Sequence, residues 1–84
     1  MNKTLVILNP AARGERARAL RERIEALSIR AVVRLTTAPG DAGEIAREGV
    51  RSGFETIVAA GGDGTVNEVA NGLAGSNVQF GILP

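Results

Sequence analysis

Short apolar runs alternate along the chain with longer segments in which apolar residues recur at helical spacing. Residues 5–8 are all apolar, which is typical of a strand buried on both faces, and residues 30–36, 56–60 and 80–83 contain similar runs. Between these runs, apolar residues recur every three or four positions, as on one buried face of a helix. The pattern therefore predicts the element order β-α-β-α-β-α-β.

Capping patterns indicate where two of the helices begin. Asp41 with Glu44, and Thr65 with Glu68, match the arrangement of a capping box, so we expect helices to start at Asp41 and Thr65. The apolar stripes expected on the three helices are Ala17, Leu20, Ile24 and Leu27; Ile45, Ala46, Gly49 and Val50; and Val66, Val69, Ala70 and Leu73.

Strict alternation of strands and helices predicts an α/β fold with a parallel sheet, right-handed crossovers and helices on both faces. The loops after the first three strands, residues 9–14, 36–41 and 61–64, should lie along one rim of the sheet, which is where ligands of such folds bind. The chain ends directly after the fourth strand, so we expect an open sheet edge and interpret residues 1–84 as the N-terminal part of a longer protein.

Composition excludes several classes of function. A net charge of +1 and only two aromatic residues disfavour nucleic acid as a partner. The absence of cysteine and histidine excludes disulfides, thiolate or histidine metal sites and a histidine general base. No apolar run approaches the length of a membrane span, so we expect a cytoplasmic protein, with peripheral membrane contact as an alternative.

Segment 61–65, Gly-Gly-Asp-Gly-Thr, joins the third strand to the third helix. Glycines let a backbone approach an anion closely, and the first amides of a helix are unpaired at the positive end of its dipole. The segment therefore predicts a phosphate-binding turn. It lacks the lysine and spacing of a Walker P-loop, and Asn67 replaces the third glycine of a dinucleotide fingerprint.

Asp63 places a carboxylate inside this turn, where it would repel phosphates unless a cation lay between them. Mg²⁺, bound through oxygen atoms and water, is the usual mediator. Alternatively, Asp63 forms an Asx turn or caps the helix, and the glycines merely make the connection tight. The residues alone leave both interpretations open.

The run GGDGTVNEVANGL over residues 61–73 closely resembles the diacylglycerol kinase catalytic domain family, which includes bacterial lipid kinases and sphingosine kinases. NAD kinases and phosphofructokinases are related more distantly through GGDGT. Three further features agree with the family in order and spacing: Asn9-Pro10, Thr36 followed by Pro39-Gly40-Asp41-Ala42, and Phe80-Gly81-Ile82-Leu83-Pro84.

One feature departs from the family pattern. A small residue and then a glycine usually follow Asn-Pro at short distance, whereas here Arg13 precedes Gly14. Arg13 either contributes charge toward phosphate or is a solvated residue at the start of a helix.

The resemblance implies roles for individual residues. Asp63 would join a water-mediated magnesium network, and Glu68 would either support the site or cap the helix, of which we favour the cap. Asn67 and Asn71 are candidates for plain solvent-exposed positions, an interpretation we favour for Asn71. The residues implied to contact ATP are Asn9, Thr36, Ala60, Gly61, Gly62, Asp63, Gly64, Thr65 and Glu68.

The function implied by the resemblance is that of an ATP-dependent kinase acting on a diacylglycerol-like or sphingoid lipid. Residues 1–84 would form the N-terminal part of its nucleotide-binding domain and would be inactive alone, since the family's catalytic base and lipid site lie beyond Pro84. The partners would be the nucleotide and, through the rest of the protein, the lipid; a homodimer is compatible with the sequence. An NAD-kinase-like enzyme and a non-catalytic nucleotide-binding module remain alternatives.

Overall fold

A computed structural model describes residues 3–10, 15–27 and 31–83. The four strands form one parallel sheet in the order β2-β1-β3-β4, which confirms the predicted α/β class. The elements are β1 (Thr4–Leu8), α1 (Glu15–Leu27), β2 (Ala31–Leu35), α2 (Asp41–Arg51), β3 (Thr56–Ala60), α3 (Asp63–Gly72) and β4 (Gln79–Leu83).

Helices lie on both faces of this sheet, as predicted. Alternate residues of a strand point to opposite faces, so each central strand contributes to two apolar clusters. On one face, Leu5 and Ile57 pack with Val69 of α3 and with the buried side of α2. On the other face, Val6 packs with Ile24 of α1. Each large aliphatic side chain buried in this way contributes about 1.5–3 kcal/mol to stability.

Helices α2 and α3 approach each other closely where both carry glycine. A Cβ atom added to Gly72 would lie 2.6 Å from the carbonyl oxygen of Gly43 and 2.8 Å from the Cβ of Ala46. The carbonyl oxygen belongs to the backbone of α2 and cannot rotate away as a flexible side chain could. The two helices can therefore keep this separation only if position 72 has no side chain.

Both predicted capping boxes are wrong. α2 has Gly40 at its N-cap, with φ 91°, and α3 begins two residues earlier than predicted, at Asp63, with Gly62 at its N-cap; neither cap makes a side-chain hydrogen bond. Glu44 forms an ion pair with Arg47 over 2.6 Å instead. The side chains of Asp41 and Glu44 match the capping-box pattern, but in the structure they bond to the loop before α2 and to Arg47.

The predicted apolar stripes are confirmed in α2, where Ile45 and Ala46 are buried, and in part in α3, where Ala70 is exposed, contrary to prediction. In α1 the side chain of Ile24 is buried. The side chains of Ala17, Leu20 and Leu27 lie outside the described part, as do Arg13, Gly14 and Pro84.

The two outer strands of the described sheet, β2 and β4, expose apolar side chains. Leu35 on β2 is 51% exposed, and Ile82 on β4 is 54% exposed. Among the helices in the described ranges, none has the length and apolar character that crossing a membrane requires.

Candidate functional site

The carboxyl ends of β1, β2 and β3 bring residues 9–10 of the first predicted loop together with the loops 36–41 and 61–64 at one rim; residues 11–14 lie outside the described part. The backbone N–H of Asn9 donates to the carbonyl oxygen of Ala60 over 3.0 Å, and that of Thr36 donates to Leu8 over 2.9 Å. Since these bonds continue the ladder past the strand ends, Asn9, Thr36 and Gly61 are neighbours on adjacent strands. The predicted rim is confirmed.

Asn9 and Gly61 fit against the buried Thr65 on the first turn of α3. The side-chain amide of Asn9 donates to Thr65 Oγ1 over 3.2 Å. Gly61 has φ 153°, and a Cβ there would lie 3.0 Å from Thr65 Oγ1 and 3.3 Å from Asn9 Cβ. The chain's own packing therefore explains why a glycine occupies position 61, and one hydrogen bond joins the first rim loop to the turn.

Gly62 and Gly64 have no such internal explanation. Neither has a positive φ, and a Cβ on either one would meet no atom within 4 Å. The space beside them is open, so no contact within the chain accounts for either glycine.

Backbone amides border the same open space. The intrahelical bonding of α3 begins with the N–H of Val66, which donates to the carbonyl oxygen of Gly62 over 3.1 Å. The preceding amides, those of Asp63, Gly64 and Thr65, therefore have no acceptor within the helix. Unpaired amides at the positive end of a helix dipole attract anions such as phosphate.

Asp63, the first residue of α3, is exposed, and no residue of the described part makes a hydrogen bond or ion pair with its carboxylate. It therefore does not cap α3. Within the described ranges no cluster of three or more acidic, histidine or cysteine side chains could hold a metal ion. A single exposed carboxylate fits Mg²⁺ that is shared with phosphate oxygens and water, which is the usual mode for this ion, and does not fit a preformed metal cage.

The second rim loop is organised by Asp41, a role the sequence did not reveal. Asp41 Oδ2 accepts hydrogen bonds from the N–H of Thr37 (2.7 Å), the hydroxyl of Thr37 (2.6 Å) and the N–H of Ala38 (3.0 Å). These bonds, chiefly the one from the Thr37 hydroxyl, lower the pKa of Asp41. The sequence did show an acid directly after Pro39-Gly40, but we predicted that this acid, Asp41, caps the helix, whereas it bonds back into the loop.

Glu68 supports this loop and does not cap α3. Its Oε2 accepts a hydrogen bond from the backbone N–H of Gly40 over 3.2 Å. Of the two roles weighed for this residue, the favoured helix cap is therefore wrong.

The remaining candidate residues lie close to the turn but differ in exposure. Ala60 is fully buried, so its side chain contributes to the core, and Thr36 is also buried. A shallow groove runs along the outer side of α3 from the turn, lined by Asp63, Gly64, Val66, Asn67 and Ala70. Asn71 is exposed and does not line this groove.

A parallel α/β sheet with a glycine turn and free helix amides at its carboxyl rim is the arrangement typical of α/β domains of the phosphate-binding class. Within that class, the model of the diacylglycerol kinase catalytic domain matches residues 3–84. The chain belongs to the diacylglycerol kinase catalytic domain family.

Individual relatives agree with this membership. A protein of Klebsiella pneumoniae (strain 342) named "Probable lipid kinase YegS-like" is 41% identical over 96% of the chain, and the Bacillus subtilis (strain 168) protein named "Diacylglycerol kinase" is 34% identical over 100% of it. The matched regions are 28% and 30% of those two proteins. The chain thus spans less than a third of the length of either relative.

Solved structures show the same fold. The crystal structure of a diacylglycerol kinase from Bacillus anthracis str. Sterne superposes with a TM-score of 0.80 at 30% identity, covering 99% of this chain and 32% of that one. The solution structure of a phosphate-loop protein superposes with a TM-score of 0.64 at 21% identity, a likeness of fold alone.

Proposed function

We propose that this chain is the ATP-binding part of a lipid kinase that transfers the γ-phosphoryl group of ATP to a hydroxyl of a diacylglycerol-like or sphingoid lipid. Membership of the diacylglycerol kinase catalytic domain family supports a kinase. The observation that carries the nucleotide assignment is the open space at Gly62 and Gly64 beside the free amides of α3.

In this proposal the segment 61–65 wraps the ATP phosphates, with Ala60 directly before it. Asn9 fixes the turn through Thr65, and Thr36 contacts the nucleotide from the second rim loop, which Glu68 supports. Asp63 would hold Mg²⁺ through water, and the ion, when bound, neutralises charge on the phosphate groups.

Phosphoryl transfer also needs a group that orients or deprotonates the attacking hydroxyl. We assign that group and the lipid site to the longer protein of which the chain is a part, so the 84-residue chain alone should be inactive. The longer enzyme would belong to phospholipid metabolism and would be cytoplasmic, meeting its lipid at the membrane surface.

The test uses the full-length protein with γ-labelled ATP, Mg²⁺ and vesicles containing either diacylglycerol or a sphingoid base. Label should appear in one of the two lipids. Asp63→Asn should lower this turnover at least about 100-fold, because a neutral amide would hold the hydrated Mg²⁺ less strongly than the carboxylate does, while the thermal midpoint stays unchanged. Binding of MgATP without transfer to any lipid would contradict the kinase assignment and leave a non-catalytic binding module.

A matched control is available on α2. Glu48→Gln removes one negative charge from an exposed acid that faces Arg34 over 3.6 Å, away from the glycine turn. It should leave turnover unchanged. If Asp63→Asn were as active as Glu48→Gln, the role assigned to Asp63 would be wrong.

A further inference from the structure

The second rim loop, residues 36–41, is fixed at its start and in its middle. At the start, the N–H of Thr36 donates to Leu8 in the sheet. In the middle, Asp41 draws the N–H groups of Thr37 and Ala38 onto a single carboxylate oxygen. These contacts hold the start and the middle of the loop but do not hold the N–H of Gly40 at its end.

Glu68 holds this end of the loop against α3. It lies on α3, within one turn of Thr65, and is half-buried. Its carboxylate accepts the hydrogen bond from Gly40, which is 28 residues away in sequence, at the end of the loop. Hydrogen bonds to ionised acceptors are roughly twice as strong as neutral ones.

Glu68 lies on α3 and Gly40 caps α2, and these two helices are closely packed. Gly43 on α2 and Gly72 on α3 bring the helix backbones into close contact, and a Cβ on Gly43 would lie 3.2 Å from the carbonyl oxygen of Glu68 itself. The base of the Glu68 side chain is thus held next to the first turn of α2. Because the backbone of Glu68 is held there, the hydrogen bond from Gly40 to its side chain also holds the end of the loop in place.

We propose that Glu68 is a positioning residue, which holds the loop 36–41 where Thr36 can contact a nucleotide bound on the glycine turn. The inference rests on the proposed function, because it assumes that ATP binds at this rim. It assigns Glu68 no contact with the nucleotide: the Glu68 carboxylate acts only through Gly40.

Three substitutions of Glu68 distinguish the effects of side-chain length, negative charge and the hydrogen-bond acceptor on nucleotide binding. Glu68→Ala removes the acceptor and should weaken MgATP binding by the full-length protein about tenfold. Glu68→Asp keeps the charge but shortens the side chain, so it should weaken binding almost as much. Glu68→Gln keeps both the reach and an acceptor oxygen and should bind within about threefold of wild type. Equal weakening by Gln and Ala would contradict positioning through this hydrogen bond.

A double-mutant cycle tests whether Glu68 acts through the loop. If it does, Glu68→Ala combined with Thr36→Ala should bind ATP no more weakly than Thr36→Ala alone, because the contact that Glu68 positions is already lost. Fully additive losses would overturn the proposal. The control is Glu48→Ala, an exposed α2 acid outside the rim, which should leave ATP binding unchanged.

A measurement without nucleotide tests the anchor itself. The amide proton of Gly40 should exchange faster with solvent in Glu68→Asp than in wild type, and at the wild-type rate in Glu48→Ala. Unchanged exchange in Glu68→Asp would overturn the inference alone. A wild-type protein that binds no ATP at all would overturn the proposed function and, with it, this inference.

Discussion

Thr65 and Glu68 on α3 each hold one of the two neighbouring rim loops. Thr65 Oγ1 accepts the side-chain amide of Asn9, and Glu68 Oε2 accepts the N–H of Gly40. Since α3 also begins at the glycine turn, one helix carries the amides that we propose to bind phosphate, the partner of Asn9 and the anchor of the second rim loop. The candidate site is therefore built outward from α3.

Asp41 has an electrostatic property that can be measured directly. The hydroxyl and the N–H of Thr37 stabilise the carboxylate form of Asp41 and so lower its pKa from the usual value of 3.8. Thr37→Val removes the hydroxyl, which is the largest cause of the shift, and keeps the N–H. The pKa of Asp41, followed by NMR of the side-chain carboxyl carbon, should rise in this variant. A pKa unchanged by Thr37→Val would contradict the assigned hydrogen bond.

The same bonds give the fold a defined pH dependence. The pKa of Asp41 is lower in the folded than in the unfolded chain, so its contribution to the free energy of unfolding is present above pH 3.8 and is lost as the pH falls through the lowered value. In Asp41→Asn this part of the acid dependence should disappear from urea unfolding measured across that range. Glu44→Gln, on the same helix turn, serves as the control.

Sequence patterns predicted which residues surround the site but not how these residues bond. The strand ends predicted that the loops after β1, β2 and β3 share one rim, because that depends on local chain geometry, while the resemblance to a kinase family singled out Asn9 and Thr36 within those loops. The Glu68–Gly40 bond joins residues 28 positions apart, and no local pattern encodes such a pair. A capping-box match could not distinguish a local acceptor from a tertiary one.

At the level of elements, the packing of α2 on α3 fixes the geometry of the rim. Both helices begin at this rim, at Asp41 and Asp63, so any change in their separation would move the second loop relative to the glycine turn. The contact between Gly43 and Gly72 sets that separation.

Gly72→Ala tests this packing. Alanine favours a helix over glycine by about 1 kcal/mol, but its Cβ would lie 2.6 Å from a carbonyl oxygen that cannot move alone. We expect the overlap to prevail and to lower the free energy of unfolding by about 1–3 kcal/mol, measured by urea denaturation. Unchanged or increased stability would show that the helices are not in the contact described.

The strands and helices themselves were largely predictable. Continuous apolar runs identified the central strands β1 and β3, since strands covered on both faces have few polar positions. The outer strands β2 and β4 carry similar apolar runs although most of their residues are exposed. α2 begins at Asp41 as predicted, whereas the start of α3 was misplaced by two residues because Gly62 occupies its N-cap without a side chain that a pattern could recognise. Ala70 was assigned to the buried stripe because alanine is compatible with either environment.

For the whole molecule, the strand order explains why residues far apart in sequence form one site. β1 lies between β2 and β3, so the loops that follow all three strands are adjacent. The chain corresponds to about 30% of its relatives' length, and it supplies the nucleotide side of the proposed reaction. Under the proposed function, substrate selection and the catalytic base would lie in the regions of the relatives that this chain does not match.

The central claim is that the glycine turn binds nucleotide phosphates, and Gly64→Ala tests it most directly. A Cβ at this helical position meets no atom of the chain, so the substitution should not lower stability and should raise it by up to about 1 kcal/mol. The same Cβ would occupy the space that phosphates need. Asn71→Ala, at an exposed position of the same helix outside the groove, is the control.

The decisive measurement is titration of the full-length Gly64→Ala protein with MgATP, together with its thermal midpoint. We expect the ATP affinity of Gly64→Ala to fall at least about tenfold while its thermal midpoint stays equal or rises, and we expect Asn71→Ala to bind ATP like wild type. Wild-type affinity in Gly64→Ala would contradict the claim that phosphates lie on this turn.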